Sequence, residues 1–428
     1  MRGLLHTTFL AGPLQQADIS FVMEENGRPF LSHQPHLPLI PASNAKLFIS
    51  AAALLTEKTR ELFPALETYS QGTLENGLLN GDLIIDSCGS LIFSARFPAG
   101  DSFEKKQSLL AEQVKNYADQ LKNAGIKEIS GDVKLSFERW NAAAENAHYT
   151  AAAAFSFNEN TVDTLVKDQK LQTVPEEPGV FKFAENSQIK DQDKVENNLI
   201  RYNPAAASRD YWRISHASAT DYALSMLRKG LRANGIKISL KKPAQPQTPG
   251  KLLFRSESIA NISEFIKPLN KHSDNFRAEL LALLLNRLES GKASYTDLNK
   301  SIRNIFSRQK LSLESLSLKD GSGLSRKNKV SAADVNKLLK RMINDKSFVD
   351  SLSTAGKSGT LKKRFKGTVW EGCFHGKTGT LDSVSSLSGY WLRKQKPPLT
   401  FSFIGNNAEN ELFWDALEKF AASLDFML

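Results

Sequence analysis

The residues Ser43-Asn44-Ala45-Lys46 have the types and spacing that nucleophilic serine chemistry needs. On a helix, residues at i and i+3 face the same side, so the Ser43 hydroxyl and the Lys46 amine come within hydrogen-bonding reach. A serine becomes a good nucleophile when a neighbouring base takes its proton. A lysine can be that base if burial and the positive end of a helix dipole lower its pKa. Ser43 and Lys46 are therefore a candidate nucleophile and base.

Two further polar groups occur later in the chain, and they are Ser273-Asp274-Asn275 and Lys377-Thr378-Gly379. The first precedes a predicted apolar helix over 275–289, and alone it is typical of a helix N-cap. The second lies on a strand predicted over 374–380, where a single lysine is a common device against aggregation. Together and in this order, S-x-x-K, S-D-N and K-T-G are the combined motif of class A β-lactamases and penicillin-binding proteins.

The helix that must carry Ser43 and Lys46 is predicted over 44–55 and is apolar nearly all round, which is typical of a buried helix. Further helices are predicted near 105–124, 258–270, 275–289, 295–307, 331–345 and 409–424. Strands are predicted at 18–25, 81–86, 131–137, 374–380, 386–393 and 399–405. We therefore predict an α/β (α+β) fold with an antiparallel sheet.

The elements divide the chain into an outer body and an insertion. We predict that 1–61 and 252–428 form one domain and that a β-rich inserted domain spans 62–251. Within the insertion, 163–200 is rich in Lys, Asp, Glu, Gln and Asn and has too few apolar residues for a core of its own. The proline-rich stretch 241–251 predicts a linker.

The composition is that of a globular protein with a basic surface. The chain has 428 residues, 41% hydrophobic and 24% charged, with a net charge of +10 and an isoelectric point near 9.3. Its length predicts two or three domains. The charge favours anionic partners, which are nucleic acid, acidic membranes or acidic polymers such as cell wall. One tighter basic cluster contains Lys362, Lys363, Arg364 and Lys366. It is either a solvated face or a binding patch.

The two cysteines, Cys88 and Cys373, form no C-x-x-C pair, so a zinc knuckle or a thioredoxin motif is excluded. They are either one disulfide or two free thiols. We expect no metal and no cofactor. No apolar run reaches 18 residues, so no transmembrane helix is expected. The first residues, MRGLLHTTFLAG, are too short and too polar for a complete signal peptide, which leaves a cytosolic protein or a trimmed export signal as alternatives.

Beyond the three motifs, the chain resembles the penicillin-binding protein 4 family of D-alanyl-D-alanine carboxypeptidase/endopeptidases, peptidase family S13. The stretches that carry this resemblance are PASNAKL (41–47), FNEN (157–160), DGSGLSR (320–326), SGTLKKRF (358–365) and KTGTLDSVSSLSGY (377–390). The resemblance implies a penicillin-binding/β-lactamase-like transpeptidase fold with helices on both faces of the sheet. It also implies an inserted domain and, at 163–200, a reduced or missing third domain.

The resemblance implies catalytic roles for five residues. Ser43 would attack the carbonyl between two D-alanine-type residues and form an acyl-enzyme. Lys46 would be its general base, and Ser273 would relay the proton to the leaving amine. Asn275 would hold the amide of the substrate, and Lys377 would position Ser273 electrostatically.

The resemblance also implies where the substrate binds. Lys377 with Thr378 and Thr380 would bind a terminal carboxylate, and the backbone N–H groups of Ser43 and Thr380 would form the oxyanion hole. Gly379 would allow the peptide to lie close alongside the strand. Arg326 would lie near the side-chain end of the substrate.

The implied function is a serine DD-peptidase that acts on peptidoglycan stem peptides and is inhibited by covalent penicillin acylation. Such a substrate implies a periplasmic or otherwise extracytoplasmic location, and no nucleic-acid partner. Three alternatives remain at this point: a β-lactamase, an inactive wall-binding scaffold on the same fold, and a Ser-His-Asp hydrolase that uses His272 or His375.

Overall fold

The computed structural model describes residues 8–9, 12–95, 102–140, 152–176, 178–195, 199–213, 216–239 and 250–424. By their contacts, the residues form two units: unit 1 contains Met1–Leu62 and Asn261–Leu428, and unit 2 contains Phe63–Ala260. The predicted linker at 241–251 lies outside the described residues except for its last two positions. Within the described part of the chain, no helix is long and apolar enough to cross a membrane.

Unit 1 is built on a six-stranded sheet in the order β15-β16-β17-β18-β1-β2, with every neighbouring pair antiparallel. Its strands are β1 (Asp18–Glu25), β2 (Arg28–His33), β15 (Ser353–Thr354), β16 (Phe374–Leu381), β17 (Val384–Trp391) and β18 (Leu399–Asn406). The strand β1 pairs with β18 along its whole length, so the two ends of the chain share one sheet.

Helices cover both faces of this sheet. They are α1 (Ala45–Leu55), α4 (Ile262–Lys271), α5 (Asn275–Ser290), α6 (Leu298–Arg308), α7 (Ala332–Met342), α8 (Lys346–Ser351) and α9 (Asn410–Ala422). On one face, Phe401 of β18 packs against Phe420 of α9. On the other, Tyr390 of β17 donates a hydrogen bond to the Leu339 carbonyl of α7. Because Tyr390 is paired with Thr400, next to Phe401, the two contacts lie on opposite faces.

The core on the α9 face is aromatic. Rings from the sheet, from α9 and from the segment before β16 pack against one another in stacked, edge-to-face and tilted arrangements. Trp370 stacks on Phe374 with ring centroids 4.4 Å apart and meets Phe401 edge-on at 5.0 Å. This core fixes the position of β16, the strand that carries Lys377, because Phe374 is its first residue. The predicted α+β fold with an antiparallel sheet and helices on both faces is confirmed.

Unit 2 has its own sheet and its own core. Its larger sheet has the order β13-β5-β4-β3-β14, and β6 also pairs with β4. The strands are β3 (Leu66–Glu75), β4 (Leu78–Asp86), β5 (Glu128–Ile129), β6 (Val133–Leu135), β13 (Lys237–Ile238) and β14 (Lys251–Ser256), and the helices are α2 (Phe103–Asn123) and α3 (His216–Ala233). The helix α3, which the sequence patterns above do not predict, contributes buried Tyr222, Leu227 and Leu231 to this core.

The polar segment of unit 2 forms two small sheets, β12-β7-β8 and β10-β11-β9. Their strands are β7 (Thr161–Lys167), β8 (Lys170–Val174), β9 (Lys182–Glu185), β10 (Gln192–Val195), β11 (Leu199–Tyr202) and β12 (Ser208–Arg213). The FNEN stretch leads into β7 through three buried residues with positive φ, Asn158, Glu159 and Asn160. That residues 163–200 are a reduced or missing third domain stays a prediction. Cys88 and Cys373 are both free thiols.

Candidate active site

Ser43 lies in a tight backbone turn at the start of α1. The 3₁₀ turn Ala42–Asn44 runs directly into the helix, and Ala42 has φ of 46°. A positive φ is unfavourable for a residue with a side chain and persists where the surroundings impose it. Two glycines press on this turn: a Cβ on Gly323 would lie 1.9 Å from the Ala42 carbonyl oxygen, and one on Gly379 would lie 2.8 Å from Ser43 N. The turn is therefore held from both sides.

The Lys46 amine is fully buried and contacts three oxygen atoms. Its Nζ lies 3.0 Å from Ser43 Oγ, 2.8 Å from Asn275 Oδ1 and 2.5 Å from the Ser322 carbonyl oxygen. The structure thus brings together the serine and lysine of the first motif and the asparagine of the second, as the i, i+3 spacing and the motif order predict. It adds Ser322, whose carbonyl oxygen is also 3.4 Å from Ser43 Oγ.

Burial lowers the pKa of Lys46 to about 8, and the carboxylates of Glu279, Asp320 and Asp274 oppose this decrease. An amine with such a pKa is neutral in roughly a tenth of the molecules at pH 7. A neutral amine next to a hydroxyl can accept its proton, which is what a general base must do. The electrostatic environment therefore suits Lys46 to activate Ser43.

A second lysine–serine pair lies in the same unit. Lys377 Nζ donates to Ser273 Oγ at 2.9 Å and to the Thr378 carbonyl oxygen at 2.6 Å. Lys377 is fully buried, and both burial and the nearby charge of Lys46 hold its pKa well below the ordinary value. Ser273 has φ of 58°, so this serine is also held in an unfavourable backbone conformation. The hydrogen bond from Lys377 to Ser273 therefore brings the K-T-G motif next to the S-D-N motif.

The strand β16 leaves part of one edge unpaired. The short strand β15 pairs only with Gly376 and His375, so within the described residues no strand covers β16 from Lys377 onward on that side. Thr378 donates to Thr360 Oγ1 at 2.9 Å, and Thr380 is exposed. Gly379 has a role that its sequence context does not reveal, since the space for its side chain is taken by the Ser43 turn and by Ser386.

Arg326 is exposed and donates to the Asp382 carbonyl oxygen at 2.9 Å, just after the end of β16. This contact ties it to the turn between β16 and β17. His375, a candidate base in the histidine-dependent alternative, lies 3.4 Å from Thr354 Oγ1 through Nδ1. Burial lowers its pKa. The described hydrogen bonds of Ser43 Oγ run instead to Lys46 and Ser322.

Sequence reasoning missed the loop that supplies the Ser322 carbonyl. Asp320 accepts hydrogen bonds from the N–H groups of Gly323 and Ser325 and from the Asn328 side chain, at 2.6 to 2.9 Å. The Glu279 carboxylate accepts from the N–H of Ser322 on the same loop. The stretch DGSGLSR marked this region, but a backbone carbonyl carries no residue identity that a motif could show.

The sequence profile of the D-Ala-D-Ala carboxypeptidase 3 (S13) family matches residues 6–424. The chain belongs to this family. The resemblance inferred from the three motifs is thereby confirmed.

Relatives of known name agree with this assignment. The chain is 26% identical to D-alanyl-D-alanine carboxypeptidase DacB of Haemophilus influenzae over 450 aligned residues, 94% of this chain and 86% of that protein. It is 35% identical to a D-alanyl-D-alanine carboxypeptidase of Actinomadura sp. over 162 residues, 36% of this chain and 30% of that protein. The crystal structure of penicillin binding protein 4 (dacB) from H. influenzae superposes with a TM-score of 0.69 at 20% identity, covering 99% and 98% of the two chains. This similarity confirms the penicillin-binding fold.

Proposed function

We propose that the protein is a serine DD-peptidase that cleaves peptidoglycan stem peptides through an acyl-enzyme on Ser43. The observation that carries the proposal is the buried Lys46 amine, with its lowered pKa, 3.0 Å from Ser43 Oγ. Membership of the D-Ala-D-Ala carboxypeptidase 3 family and the similarity to D-alanyl-D-alanine carboxypeptidases support a peptide that ends in D-Ala-D-Ala as the substrate. Cleavage at that end is the carboxypeptidase reaction, and cleavage of a D-Ala cross-link to a diamino acid is the endopeptidase reaction.

The geometry at Lys46 favours one direction of proton transfer. A neutral lysine amine has two N–H groups and one lone pair, whereas carbonyl oxygens can only accept. Asn275 Oδ1 and the Ser322 carbonyl oxygen therefore take the two N–H groups. The lone pair is left for Ser43 Oγ, which can pass its proton to Lys46 as it attacks the substrate carbonyl.

The second pair completes the acylation step in this proposal. Ser273 Oγ, held by Lys377, relays the proton that Lys46 has taken from Ser43 to the leaving amine, so that the C–N bond breaks and the ester to Ser43 remains. A water molecule then hydrolyses this ester, which releases the shortened peptide and restores Ser43. Thr378, Thr380 and Lys377 bind the terminal carboxylate. Arg326 lies toward the side-chain end of the substrate, beyond the end of β16.

The unpaired edge of β16 supports a peptide bound as an added strand. Main-chain hydrogen bonds along Lys377–Leu381 would align the scissile carbonyl with Ser43, whose turn packs directly against Gly379. The N–H groups of Ser43 and Thr380 are the proposed oxyanion donors. Such donors act through their fixed positions at the developing negative charge.

The test is incubation with a labelled penicillin and with a synthetic peptide ending in D-Ala-D-Ala, followed by intact mass spectrometry. We expect one long-lived penicillin adduct per chain and release of D-alanine from the peptide. A cross-linked peptide dimer as third substrate separates endopeptidase from carboxypeptidase activity. Rapid turnover of penicillin without peptide cleavage would instead assign a β-lactamase, and no adduct and no cleavage would assign an inactive scaffold.

We also propose that an exposed basic patch, Lys362, Lys363 and Lys366, contacts the anionic cell wall from an extracytoplasmic, such as periplasmic, location. These lysines directly follow the 3₁₀ turn Gly359–Leu361, whose Thr360 contacts Thr378. The patch therefore adjoins the site where the peptide would bind.

Charge reversal tests the patch. The double variant Lys362→Glu/Lys363→Glu should sediment less with isolated cell wall at low salt, and added salt should remove the difference. The control Lys105→Glu/Lys394→Glu makes the same change in net charge at other exposed positions and should sediment as wild type. If both double variants lose the same amount of binding to cell wall, the effect comes from net charge and not from this patch. If the patch variant loses binding to anionic vesicles but not to cell wall, the patch contacts a membrane.

A further inference from the structure

Glu279 is a buried carboxylate that lies next to Ser322, the residue whose carbonyl oxygen contacts Lys46. None of the three motifs includes Glu279. It lies on α5, four residues after Asn275, so both side chains face the same side of the helix. Its Oε1 accepts from the N–H of Ser322 at 2.9 Å. Its Oε2 accepts from the N–H of Gly321 at 3.0 Å and from the Tyr295 hydroxyl at 2.7 Å. Glu279 is fully buried, and these three donors satisfy the hydrogen-bonding needs of its carboxylate and fix its position.

Two of these donors belong to the backbone that presents a carbonyl to Lys46. The N–H of Ser322 is fixed by Glu279, and the carbonyl oxygen of the same residue lies 2.5 Å from Lys46 Nζ. Gly321 lies so close to α5 that a Cβ there would be 2.2 Å from the Ala278 carbonyl oxygen. The loop therefore has little freedom to move away from the helix, and the direction of the Ser322 carbonyl depends on Glu279.

We propose that Glu279 is a positioning residue of the reaction: it holds the Ser322 carbonyl against the Lys46 amine and keeps a negative charge beside it. The inference rests on the proposed function, since it assigns Lys46 as the base. When the carbonyl is held in place, it occupies one N–H of the neutral amine, and the lone pair points at Ser43 Oγ. When the carbonyl is free to move, the amine loses this orientation.

Asp320 holds the other half of the loop and has a different relation to the base. It accepts from the N–H groups of Gly323 and Ser325, beyond Ser322, and so shapes the part of the loop that presses on the Ala42–Ser43 peptide. Of the two carboxylates, Glu279 binds the residue that contacts Lys46.

The charged groups that face Lys46 act in both directions. Glu279 on α5, Asp320 on the loop and Asp274 at the N-cap of α5 favour its protonated form, while burial opposes it. The charge of Lys46 in turn lowers the pKa of Lys377 on β16. Burial and the neighbouring Asp320 raise the pKa of Glu279 itself, and its three donors partly offset this. Removing the Glu279 charge must therefore lower the pKa of Lys46 further.

The experiment compares Glu279→Gln, Glu279→Asp and wild type by the second-order rate of penicillin acylation between pH 6 and 10. This rate reports the protonation state of the free enzyme. Wild type should show a rate that rises with a midpoint near pH 8, as the Lys46 pKa requires. In Glu279→Gln the midpoint should move to lower pH by about one unit. The plateau should fall about 10- to 100-fold because one amide oxygen cannot accept all three hydrogen bonds.

The other variants separate position from charge. Glu279→Asp keeps the charge but shortens the side chain, so its midpoint should stay closer to that of wild type while its plateau falls. Glu289→Gln, on the same helix but paired with Arg308, should leave both quantities unchanged. Thermal unfolding establishes that each variant is folded, and peptide mapping by mass spectrometry establishes that it is acylated at Ser43.

Each result decides between two interpretations. A lower plateau in Glu279→Gln with an unchanged midpoint assigns a purely structural role and overturns the proposal. If Glu279→Gln does not fold, Glu279→Asp decides, and a wild-type plateau in that variant also overturns it. If wild type forms no adduct on Ser43, the proposed function fails and not this inference alone.

Discussion

Two buried lysines give this site its electrostatic character. Lys46 and Lys377 each have a lowered pKa, and each contacts the hydroxyl of one serine. A protonated lysine in such surroundings is costly, and the neutral form is correspondingly favoured. At Lys46 the carboxylates of Glu279, Asp320 and Asp274 limit this cost without removing it, so the pKa of that lysine, about 8, lies close to neutral pH.

The first prediction concerns the stability of Lys46→Met. A lysine whose pKa is lower in the folded than in the unfolded protein destabilises the fold below the folded pKa, about 8, and ceases to do so above the unfolded value. Methionine has a similar length and no charge. The unfolding temperature of Lys46→Met relative to wild type should therefore be higher at pH 7 than at pH 10. Differential scanning calorimetry at both pH values measures this, and an equal difference at the two pH values would contradict it.

Several site residues could be predicted from sequence because their spacing follows helix geometry. Ser43 and Lys46 are close because i and i+3 share a helix face. The same rule applies to Asn275 and Glu279, which are four residues apart on one helix. It therefore predicts that the Glu279 carboxyl group lies on the same helix face as Asn275. The Ser322 carbonyl could not be predicted, since a backbone atom has no sequence identity. For Gly379, the sequence suggests room for substrate, whereas the structure shows packing against the Ser43 turn.

At the scale of elements, the site depends on close packing between a loop, a turn and a strand. The Gly323 backbone presses on one side of the Ala42–Ser43 peptide and Gly379 of β16 on the other. Of the six strands of unit 1, β1, β16, β17 and β18 were predicted to within two residues, whereas β2 and the two-residue strand β15 were not. The helix α3 was not predicted because it lies in a region dominated by short strands. Its buried residues nevertheless have helical spacing, and they include Ala219, Tyr222, Ala223, Met226 and Leu227.

The second prediction tests this packing with a matched pair of glycine variants. Gly323→Ala and Gly367→Ala both place a side chain at positive φ, 87° and 72°, which costs about 1 kcal/mol in each case. Only at Gly323 does the new Cβ overlap another group, the Ala42 carbonyl oxygen at 1.9 Å. Penicillin acylation should fall about 10- to 100-fold in Gly323→Ala and stay near wild type in Gly367→Ala. Equal rates in both variants would contradict the role of the loop.

At the scale of the whole molecule, each of the two units has its own hydrophobic core. Asn275 and Ser322, whose oxygen atoms lie within hydrogen-bonding distance of Lys46 Nζ, belong to unit 1 together with Ser43 and Lys46. The long separation of Ser43 and Ser273 in sequence predicts an insertion between the first two motifs. The motifs could not reveal the fold of the insertion, since its polar segment has few apolar positions from which a sheet could be predicted.

The third prediction is that thermal unfolding has two transitions, because separate cores need not melt together. Leu227→Ala removes a fully buried side chain from α3 in unit 2. It should lower the unfolding free energy of unit 2 by about 2–5 kcal/mol, and with it the temperature of one of the two transitions. Covalent penicillin should raise the other transition, and Leu227→Ala should be acylated at the wild-type rate. A single transition shifted by both changes would show that the units unfold as one.

The most direct test of the account is the pH dependence of Ser43 acylation, with the adduct located by peptide mapping. We expect the penicillin adduct on Ser43, with a rate that increases through about pH 8 as Lys46 loses its proton. In Lys46→Met the rate should fall about 10²- to 10⁴-fold across the whole range. An adduct on Ser273, or a Ser43 rate that neither depends on pH nor falls in Lys46→Met, would contradict the account.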